Sequence, residues 1–433
     1  MQSISLIVPS WHYWAEPLKL QPLWELYYAT HLRHSFPDAK VDVIDLREPA
    51  AREESYVIPE RDIYVYWLMK SADSREVYDI VRKLKKLYPN STHIGGGTHV
   101  DFVTEESAEV FDAVVLGTAE EILLDAIRDA RAGRLENIYR SSQKPPFSDY
   151  HHAERDFLPK SRIVSDRHFE KYGGVPGTGV YFSRGCNFRC NFCVYNNPNK
   201  FEWRKPEQIT AEIEYLKREY GVQGVNLRDE VCLPPHPKTA IDYIEAIGRT
   251  GVIWRGQTIP MGTEEIVKLA AESGLQEVAL GLESVDSDEV LTIANKPSKS
   301  IENNKRYIEL LKKYGIRVKV CLIFGLPGES TQVLDRTIRF LDEVQPDYVA
   351  VSGFDPVPGS PFFRNAEQYG IKNIDTDLSK HAHLLFRFGD EEEVGLPFEY
   401  EEETPWGTAL SRGAIIENIR AIQTYLRDRG MSY

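Results

Sequence analysis

Short apolar runs alternate with amphipathic stretches over the first 140 residues, and no other feature constrains the fold of this chain as strongly. Apolar runs separated by segments of helical periodicity are typical of buried parallel strands joined by helical crossovers. Five strands in this order predict a doubly wound, flavodoxin-like α/β sheet, which binds ligands beyond the carboxyl ends of its strands. The predicted strands cover residues 3–9, 41–46, 63–68, 92–94 and 113–116.

A second alternation of strands and helices begins after a segment rich in Ser, Pro, His and Gly. Its six strand–helix units favour a partial (β/α)6 barrel, smaller than a complete TIM barrel, with reactive groups at the carboxyl ends of the strands. These strands are predicted at residues 179–183, 221–227, 251–257, 275–281, 316–323 and 347–352.

The two alternations divide the chain into four predicted parts. Residues 1–140 are the Rossmann-like domain, 141–177 a linker, 178–362 the partial barrel and 363–433 a short helical extension at the carboxyl end. The extension is expected to contain a helix with an apolar stripe. The stripe consists of Ile415, Ile416, Ile419, Ile422 and Leu426.

Charge and hydropathy exclude several classes of protein. The 433 residues contain 52 Lys and Arg and 66 Asp and Glu, a formal net charge of −14, so we expect no bound nucleic acid. No stretch approaches the ~20 apolar residues of a membrane span. The first residues lack the basic region of a signal peptide. We therefore expect a cytoplasmic protein without a membrane span.

Three of the five cysteines, Cys186, Cys190 and Cys193, lie within eight positions after the first barrel strand. Three thiolates at this Cys-x3-Cys-x2-Cys spacing can bind three corners of a cubane 4Fe–4S cluster. The fourth iron then has no protein ligand and can bind a small molecule. A structural zinc ion is the alternative, and its fourth ligand would have to be Cys232 or His236, on a different predicted loop. Outside such a site, Cys232 and Cys321 are expected to be buried apolar side chains.

The cysteine motif resembles the signature of radical S-adenosylmethionine (SAM) enzymes. The resemblance implies that the three cysteines hold a 4Fe–4S cluster and that SAM binds its fourth iron. Electron transfer from the cluster then cleaves SAM to a 5′-deoxyadenosyl radical. It also implies that Phe192, just before the third cysteine, packs near the adenine.

Two later motifs support this resemblance. Residues 281–284 (GLES) are similar to the family element that contacts polar groups of SAM, and residues 323–330 (IFGLPGES) are similar to the loop that lies against the adenine. Glycines suit such a loop, because a flat base approaches the main chain only where no Cβ intrudes. Related enzymes also carry acidic residues at the end of the second strand. The residues assigned to SAM on this basis are Phe192, Asp229, Glu283, Ser284, Gly325, Pro327 and Gly328.

The amino-terminal domain ahead of such a barrel resembles that of the cobalamin-binding class of radical SAM enzymes. The turns at residues 93–100 (HIGGGTHV) and 116–121 (LGTAEE) match the glycine turns of that class. The resemblance assigns cobalamin contacts to Trp11, His12, Gly96, Gly97, Thr98, His99, Gly117, Thr118 and Glu120.

The Asp-x-His-x-x-Gly motif, which supplies a lower axial histidine to cobalt in many cobalamin proteins, is absent. His12 falls at the histidine position, but Ser10 and Ala15 replace its partners. A metal-bound histidine usually needs a carboxylate or similar group on its other nitrogen. We therefore expect the bulky loop around His12 to cover the lower face of cobalamin without a protein ligand to cobalt.

The resemblance implies an enzyme that uses a 4Fe–4S cluster, SAM and cobalamin. The most frequent reaction of the class is methylation of an unactivated carbon, here in a small-molecule substrate of natural-product or lipid type. An electron donor of the flavodoxin or ferredoxin type is the expected partner. Two alternatives remain open, namely cyclisation or rearrangement without methyl transfer, and a corrinoid or cluster carrier without catalysis.

Overall fold

The chain folds into two compact units. The computed structural model describes residues 2–14, 16–51, 55–141, 145–194, 201–381 and 395–432. The first unit comprises Met1–Ser165 with Asp377–Ala382, and the second comprises Asp166–Thr376 with His383–Tyr433. The boundary at Ser165 lies inside the segment expected to be a linker. The finer division into four parts stays a prediction.

The first unit contains one sheet of six parallel strands in the order β2-β1-β3-β4-β5-β6. The expected doubly wound architecture is confirmed, but the expected number of five strands was too low. The sixth strand has three residues, of which only Tyr139 is buried, so it carries no periodic signal. The strands are β1 Ser3–Val8, β2 Lys40–Asp45, β3 Ile63–Trp67, β4 Thr92–Gly96, β5 Ala113–Leu116 and β6 Ile138–Arg140.

Helices connect these strands and cover the sheet. In α3, the buried residues Val77, Tyr78, Val81 and Leu84 recur at helical spacing, which places one apolar stripe against the core. The carboxyl ends of the parallel strands all lie at one edge, where the loops after β1, β3, β4 and β5 meet. The helices are α1 Leu23–Ser35, α2 Arg47–Ala51, α3 Ser74–Leu87, α4 Thr98–Phe102, α5 Thr104–Val110, α6 Glu120–Arg131 and α7 Lys160–Ile163.

The second unit contains a second sheet of six parallel strands, in the order β14-β13-β12-β11-β10-β7. The strands follow the chain in sequence, as in a (β/α) barrel that stops at six units, so the expected partial barrel is confirmed. Its strands are β7 Gly177–Val180, β10 Gly224–Leu227, β11 Ile253–Thr258, β12 Leu275–Glu283, β13 Arg317–Phe324 and β14 Tyr348–Gly353. Short strands outside the barrel are β8 Ser183–Arg184, β9 Glu202–Trp203, β15 Ile371–Lys372, β16 Glu399–Tyr400, β17 Glu403–Thr404 and β18 Gly407–Thr408.

Three helices of the second unit begin directly after a residue whose side chain caps them. Thr263, Ser287 and Ser300 each accept a hydrogen bond from a backbone N–H in the first turn of the following helix. Gly221 ends α8 in the left-handed conformation that glycine adopts most easily. The helices are α8 Pro206–Tyr220, α9 Pro237–Gly248, α10 Glu264–Glu272, α11 Asp288–Ile293, α12 Ile301–Lys313, α13 Val333–Val344, α14 Pro361–Arg364 and α15 Arg412–Asp428.

The helix expected near the carboxyl end is α15, and it packs onto the barrel strands β13 and β14. Four residues of the predicted stripe are buried, whereas Ile416 is only half-buried. Beyond the helix, the backbone N–H of Val349 on β14 donates to the carbonyl of Met431 at 2.9 Å. The end of the chain thus covers an edge strand that would otherwise expose unpaired backbone groups.

None of the helices in the described part of the chain has the length and apolar content that crossing a bilayer requires.

Candidate functional site

The cysteine loop, residues 185–193, follows β8 at the carboxyl end of the first barrel strand. Its centre is fixed by Asn191, whose N–H donates to the carbonyl of Ala294 at 2.9 Å and whose Nδ2 donates to that of Ile293 at 2.7 Å. From the other side, Nδ2 of Asn295 donates to the carbonyl of Arg189 at 2.7 Å. The loop is therefore held to the end of α11, a part of the chain a hundred residues away.

Cys186, Cys190 and Cys193 are each half-buried. Burial raises the pKa of Cys186, and it raises that of Cys190 to about 11 although Lys296 opposes the shift. Both thiols are thus protonated at neutral pH until a metal displaces the proton.

No three His, Cys, Asp or Glu side chains of the described residues converge on a point where one metal ion could bind. The assignment of the three cysteines to a 4Fe–4S cluster rests on their spacing in the sequence and stays a prediction.

The other two cysteines are not part of this group. Cys232 is buried in the barrel, as expected, and its side chain occupies the space beside Gly256. Cys321 on β13 is only half-buried, so the expectation of full burial was wrong for this residue. Its exposure arises because alternate side chains of a barrel strand face away from the surrounding helices.

A buried ion pair lies beside the cysteine loop. Nζ of Lys296 is 2.9 Å from Oε1 of Glu283, and the lysine is only 3% exposed. The same ammonium group lies 5.7 Å from the ring centre of Phe192. Burial alone would lower the pKa of Lys296, but Glu283 and the thiols of Cys190 and Cys193 raise it above its ordinary value. The lysine is therefore a fixed positive charge next to the thiols.

Lys296 was missed by the sequence reasoning, because a single lysine after a helix carries no spacing signal. Glu283 and Phe192, by contrast, were assigned to this site, and the structure brings both to Lys296. Glu283 also adopts a left-handed backbone conformation, with φ of +67°. Such strain in a residue other than glycine persists only where the surroundings impose it, and it is concentrated at functional sites.

Asp229 holds the strand that leads into the cysteine loop. Its Oδ1 accepts hydrogen bonds from the N–H groups of Phe182 at 2.8 Å and Ser183 at 2.9 Å, and its Oδ2 accepts one from the hydroxyl of Tyr243. Burial raises the pKa of Asp229 to about 6. Both oxygens are thus engaged within the protein, and the expected contact with SAM stays a prediction.

Ser284 and the loop after β13 are joined by a residue that was not assigned to the site, Glu329. Its Oε1 accepts a hydrogen bond from the Ser284 hydroxyl at 3.0 Å, and its Oε2 accepts one from the N–H of Gly325 at 2.6 Å. Burial raises the pKa of Glu329 to about 8. The signal was present in the sequence, since Glu329 stands inside the quoted motif.

The glycines of this loop are required by the packing inside the protein. Gly325 and Gly328 have φ values of +91° and +86°, and a Cβ on them would lie 2.9 Å from Ile415 and 2.4 Å from Ile293. The space that these glycines leave is therefore filled by side chains of the protein. Pro327 is buried between them. Contact of all three with an adenine stays a prediction.

The first unit has its own candidate site at the carboxyl edge of its sheet. The β1 loop, residues 10–14, contains Trp11 with φ of +51° and His12, whose side chain is 60% exposed. Nδ1 of His12 lies 3.8 Å from Oε2 of Glu76 on α3. This carboxylate comes from α3 and not from the positions of the absent motif, and the expectation that cobalt has no protein ligand stays a prediction.

The glycine turns after β4 and β5 differ in their surroundings. A Cβ on Gly97, where φ is +102°, would lie 2.6 Å from the carbonyl oxygen of Leu68, so this glycine serves internal packing. Gly117 has φ of +79° and nothing within 4 Å of its Cβ position. Gly117 is exposed, and Thr98 and Thr118 are half-buried at the same edge. Gly96, in contrast, packs against Trp67 and Val115.

Two residues assigned to cobalamin have their side chains inside the unit. The ring of His99 is buried between the Tyr78 hydroxyl, 3.0 Å from Nε2, and the Ser71 hydroxyl, 2.9 Å from Nδ1. Burial lowers the pKa of His99 to about 4. Glu120 is fully buried and accepts a hydrogen bond from the Tyr27 hydroxyl at 2.8 Å. A cofactor contact by His99 or Glu120 stays a prediction.

Buried carboxyl groups lie behind the β1 loop. Burial raises the pKa of Glu25 to about 8 and that of Asp73 to about 7, although the Tyr13 hydroxyl and Lys70 oppose the shift at Asp73. Oδ2 of Asp73 accepts a hydrogen bond from Tyr13, whereas its Oδ1 is buried without a hydrogen-bond partner.

Comparison with known proteins agrees with this geometry. Residues 180–341 match the family model of the Radical SAM superfamily. Bacteriochlorophyllide d C-12(1)-methyltransferase of Chlorobaculum tepidum is 24% identical over 330 residues, 73% of this chain and 69% of that protein. Anaerobic magnesium-protoporphyrin IX monomethyl ester cyclase of Rubrivivax gelatinosus is 27% identical over 384 residues, 79% of this chain and 66% of that protein.

The fold is similar to that of TsrM, a radical SAM methyltransferase from Kitasatospora setae whose structure contains cobalamin and a [4Fe-4S] cluster. The likeness has a TM-score of 0.65 at 17% identity, and it covers 86% of this chain and 77% of TsrM. The match covers both units of the chain, not the barrel alone. Residues 180–341 are therefore similar to the radical SAM domain, and the fold of the chain is similar to that of TsrM.

Proposed function

We propose that this protein is a methyltransferase that uses a 4Fe–4S cluster, SAM and cobalamin to methylate an unactivated carbon of a small molecule. The observation that carries the proposal is the group of three half-buried thiols beside the buried Lys296–Glu283 pair. Three thiols fit three irons of a cubane and leave the fourth iron for SAM. When bound, the cluster and SAM supply a radical that removes a substrate hydrogen atom, and cobalamin supplies a methyl group.

Lys296 has two roles in this proposal. Its buried ammonium group partly neutralises the negative charge of three thiolates, which lowers the cost of placing a cluster there. It also presents N–H donors where the carboxylate of SAM would bind. Glu283 would accept hydrogen bonds from the SAM amino group. Asp229 and Glu329 position the backbone on either side of this site and need not touch SAM.

The first unit fits cobalamin at the edge that carries the β1 loop. The buried, unpartnered Oδ1 of Asp73 is an acceptor that a corrin amide could satisfy. The open space beside Gly117 allows a cofactor to approach the main chain closely. These two observations support cobalamin binding, and the exposed His12 side chain lies on the same β1 loop.

The relatives, and not a readable motif, support the proposed substrate class. The methyltransferase and the cyclase that the chain resembles are both named for tetrapyrrole substrates. A small molecule of natural-product or lipid type is consistent with both. Because one of these relatives is a cyclase, ring formation without methyl transfer is the second candidate.

The proposal is tested by anaerobic reconstitution of the full chain with iron, sulfide and cobalamin, followed by reduction and addition of SAM. Reduced flavodoxin, a donor of the proposed type, serves as the reductant, with dithionite as a chemical substitute. We expect 5′-deoxyadenosine, and with an accepted substrate we also expect S-adenosylhomocysteine. Candidate substrates begin with bacteriochlorophyllides and extend to other polycyclic small molecules.

The outcomes separate the candidates. 5′-Deoxyadenosine with S-adenosylhomocysteine and a methylated product supports the proposal. 5′-Deoxyadenosine with a cyclised product and no S-adenosylhomocysteine supports the cyclase. A protein that holds the cluster and binds SAM but never cleaves it would be a carrier, and the proposal would be overturned.

A further inference from the structure

The inner face of the barrel can be followed from strand to strand through paired polar residues. Asn226 on β10 lies opposite Arg255 on β11, and the next strand, β12, contributes Glu277. The Arg255 guanidinium donates to Oδ1 of Asn226 at 2.7 Å and to Oε1 of Glu277 at 3.0 Å. The other face of these strands is apolar, and its Val225 and Trp254 are fully buried. The polar face therefore lines the lumen of the barrel.

This first layer of polar residues is the floor of the lumen, and its charges are balanced. Glu277 forms ion pairs with both Arg255 and Lys171. Asp166 accepts a hydrogen bond from Nδ2 of Asn226 at 2.8 Å. Two carboxylates and two cations thus belong to one hydrogen-bonded network that closes the lower end of the lumen.

A second layer lies two residues further along the strands, where side chains point into the lumen again. Gln257 on β11 and Lys319 on β13 are both paired in register with Ala279 on β12. On β10 the corresponding residue is Arg228, whose N–H donates to the carbonyl of Val180 at 2.9 Å and so continues the ladder of the sheet. Arg228, Gln257 and Lys319 therefore face the same part of the lumen.

The lumen is open at this second layer. A (β/α) barrel usually fills its interior with large branched side chains. Here Gln257 is exposed although it lies on the inner face, and Ala279 beside it has a small side chain. Gly281 and Cys321, which pair in the layer above, are half-buried. The interior therefore keeps space for a ligand next to Arg228 and Lys319.

Lys319 indicates which charge such a ligand would carry. Burial lowers the pKa of Lys319 to about 8, and the positive charges of Arg255 and Lys171 add to the shift, although Cys321 opposes it. An anion placed beside Lys319 would counteract both the burial and the repulsion. The second layer is therefore suited to a negatively charged group.

Arg228 is the group of this layer that is best suited to bind the anion. Its guanidinium forms no ion pair with a carboxylate in the part of the chain that the structure describes. It acts on Glu230, but burial raises the pKa of that carboxyl group to about 7, so its negative charge is partial at neutral pH. The planar fork of N–H donors on an arginine matches the two oxygens of a carboxylate.

We propose that the substrate carries a carboxylate group and that Arg228 binds this group inside the barrel lumen. Lys319 supplies further positive charge, and Gln257 supplies an amide donor. The inference rests on the function proposed above and names the class of its substrate, an acid instead of a neutral molecule. Arg228 is then a specificity-determining residue, because it contacts the substrate away from the reacting carbon.

The test is a fluorine-19 NMR titration of the full chain, with its cluster oxidised and SAM present in excess. The probe is 4-fluorobenzoate, a carboxylate small enough to enter the lumen, and 4-fluorobenzamide is the neutral compound of the same size. We expect the wild-type protein to bind the benzoate more tightly than the benzamide. Arg228→Gln should weaken benzoate binding about tenfold, as for the loss of one charged hydrogen-bonded pair, and leave benzamide binding unchanged.

Two further variants and one further measurement sharpen the test. Arg228→Lys keeps the charge but not the fork, so it should recover only part of the benzoate affinity. The matched control is Arg306→Gln, which removes an exposed arginine 3.4 Å from Glu302 on α12 and should change nothing. Equilibrium dialysis should give the same SAM affinity for Arg228→Gln and the wild-type protein.

Each contrary result overturns the inference in its own way. Equal binding of the benzoate and the benzamide by the wild-type protein, or binding of neither, does so even where a variant does not fold. Tighter binding of 4-fluorophenyl phosphate than of 4-fluorobenzoate would replace the carboxylate with a phosphate group. Loss of SAM affinity in Arg228→Gln would assign Arg228 to the carboxylate of SAM. None of these measurements requires cleavage of SAM, so failure of the proposed function, seen as absence of 5′-deoxyadenosine, is a separate result.

Discussion

The cysteine loop and the β1 loop are both candidate cofactor-binding loops at the carboxyl ends of parallel strands, but they are assembled differently. In the cysteine loop, three cysteines lie within eight residues. In the β1 loop, His12 and its carboxylate partner Glu76 are 64 residues apart in the sequence and meet only in the fold. The comparison teaches that a ligand set is visible in a sequence only when its members are close in the chain.

The largest expected loss of activity comes from a substitution in the cysteine loop. Cys190→Ala removes one of three cluster ligands, so we expect bound iron and sulfide to fall sharply and SAM cleavage to drop to background. Iron analysis and 5′-deoxyadenosine formation measure this. The matched control is Cys232→Ala, which removes a buried thiol outside the loop and should keep the cluster. Equal loss of iron in both variants would contradict the assignment.

The second-largest effect, on stability and SAM binding, is expected for the buried Lys296–Glu283 ion pair beside the cysteine loop. Lys296→Met leaves the Glu283 carboxylate buried without its partner, and we expect a loss of about 3–5 kcal/mol in the free energy of unfolding. SAM binding should weaken as well. The double variant Lys296→Met/Glu283→Gln should recover most of the stability but not the SAM affinity. Denaturant unfolding and equilibrium dialysis distinguish the two losses.

Recovery of both properties in the double variant would show that Lys296 does no more than neutralise Glu283. That result would remove its proposed contact with SAM.

The first unit should show a pH dependence of stability through Glu25. Its pKa is raised by burial to about 8, so the folded protein binds this proton more tightly than the unfolded chain does. The stability from this group is therefore present below the unfolded pKa of about 4.3 and lost as the pH rises through about 8.

We expect Glu25→Gln to remove this loss, so that its stability relative to wild type rises by about 3–4 kcal/mol between pH 5 and pH 8. Denaturant unfolding at the two pH values measures it. Glu105→Gln, at an exposed position of the same unit, is the control and should show no such change. A constant difference between Glu25→Gln and wild type would contradict the expectation.

The smallest effect on stability should come from the glycine turn after β5. Gly117→Ala meets no atom within 4 Å, so we expect only the left-handed backbone penalty of roughly 1–2 kcal/mol. Gly97→Ala, whose Cβ would lie 2.6 Å from a carbonyl oxygen, should lose more. If cobalamin passes Gly117, that variant should bind it more weakly despite its milder effect on unfolding. Unchanged affinity would place the cofactor elsewhere.

Much of the architecture could be predicted from the sequence, because the alternation of apolar runs and amphipathic helices is a local signal. The barrel strands and the helix at the carboxyl end were recognised in this way. The strand Ile138–Arg140 was not, since three residues with one buried side chain show no period. Likewise Lys296 could not be found, because what makes it important is its burial beside Glu283 and the cysteine loop.

The sequence by itself determined the spacing of the three cysteines, because they lie within eight residues. It also determined the order of strands and helices, because periodicity is a local signal. Only the tertiary structure decided which polar groups pair. It brought Glu76 to His12, Glu329 to Ser284 and Lys296 to Glu283. The physical reason is that a buried charge is stable only beside a polar or oppositely charged partner. The packing of the core decides which elements of the fold supply that partner.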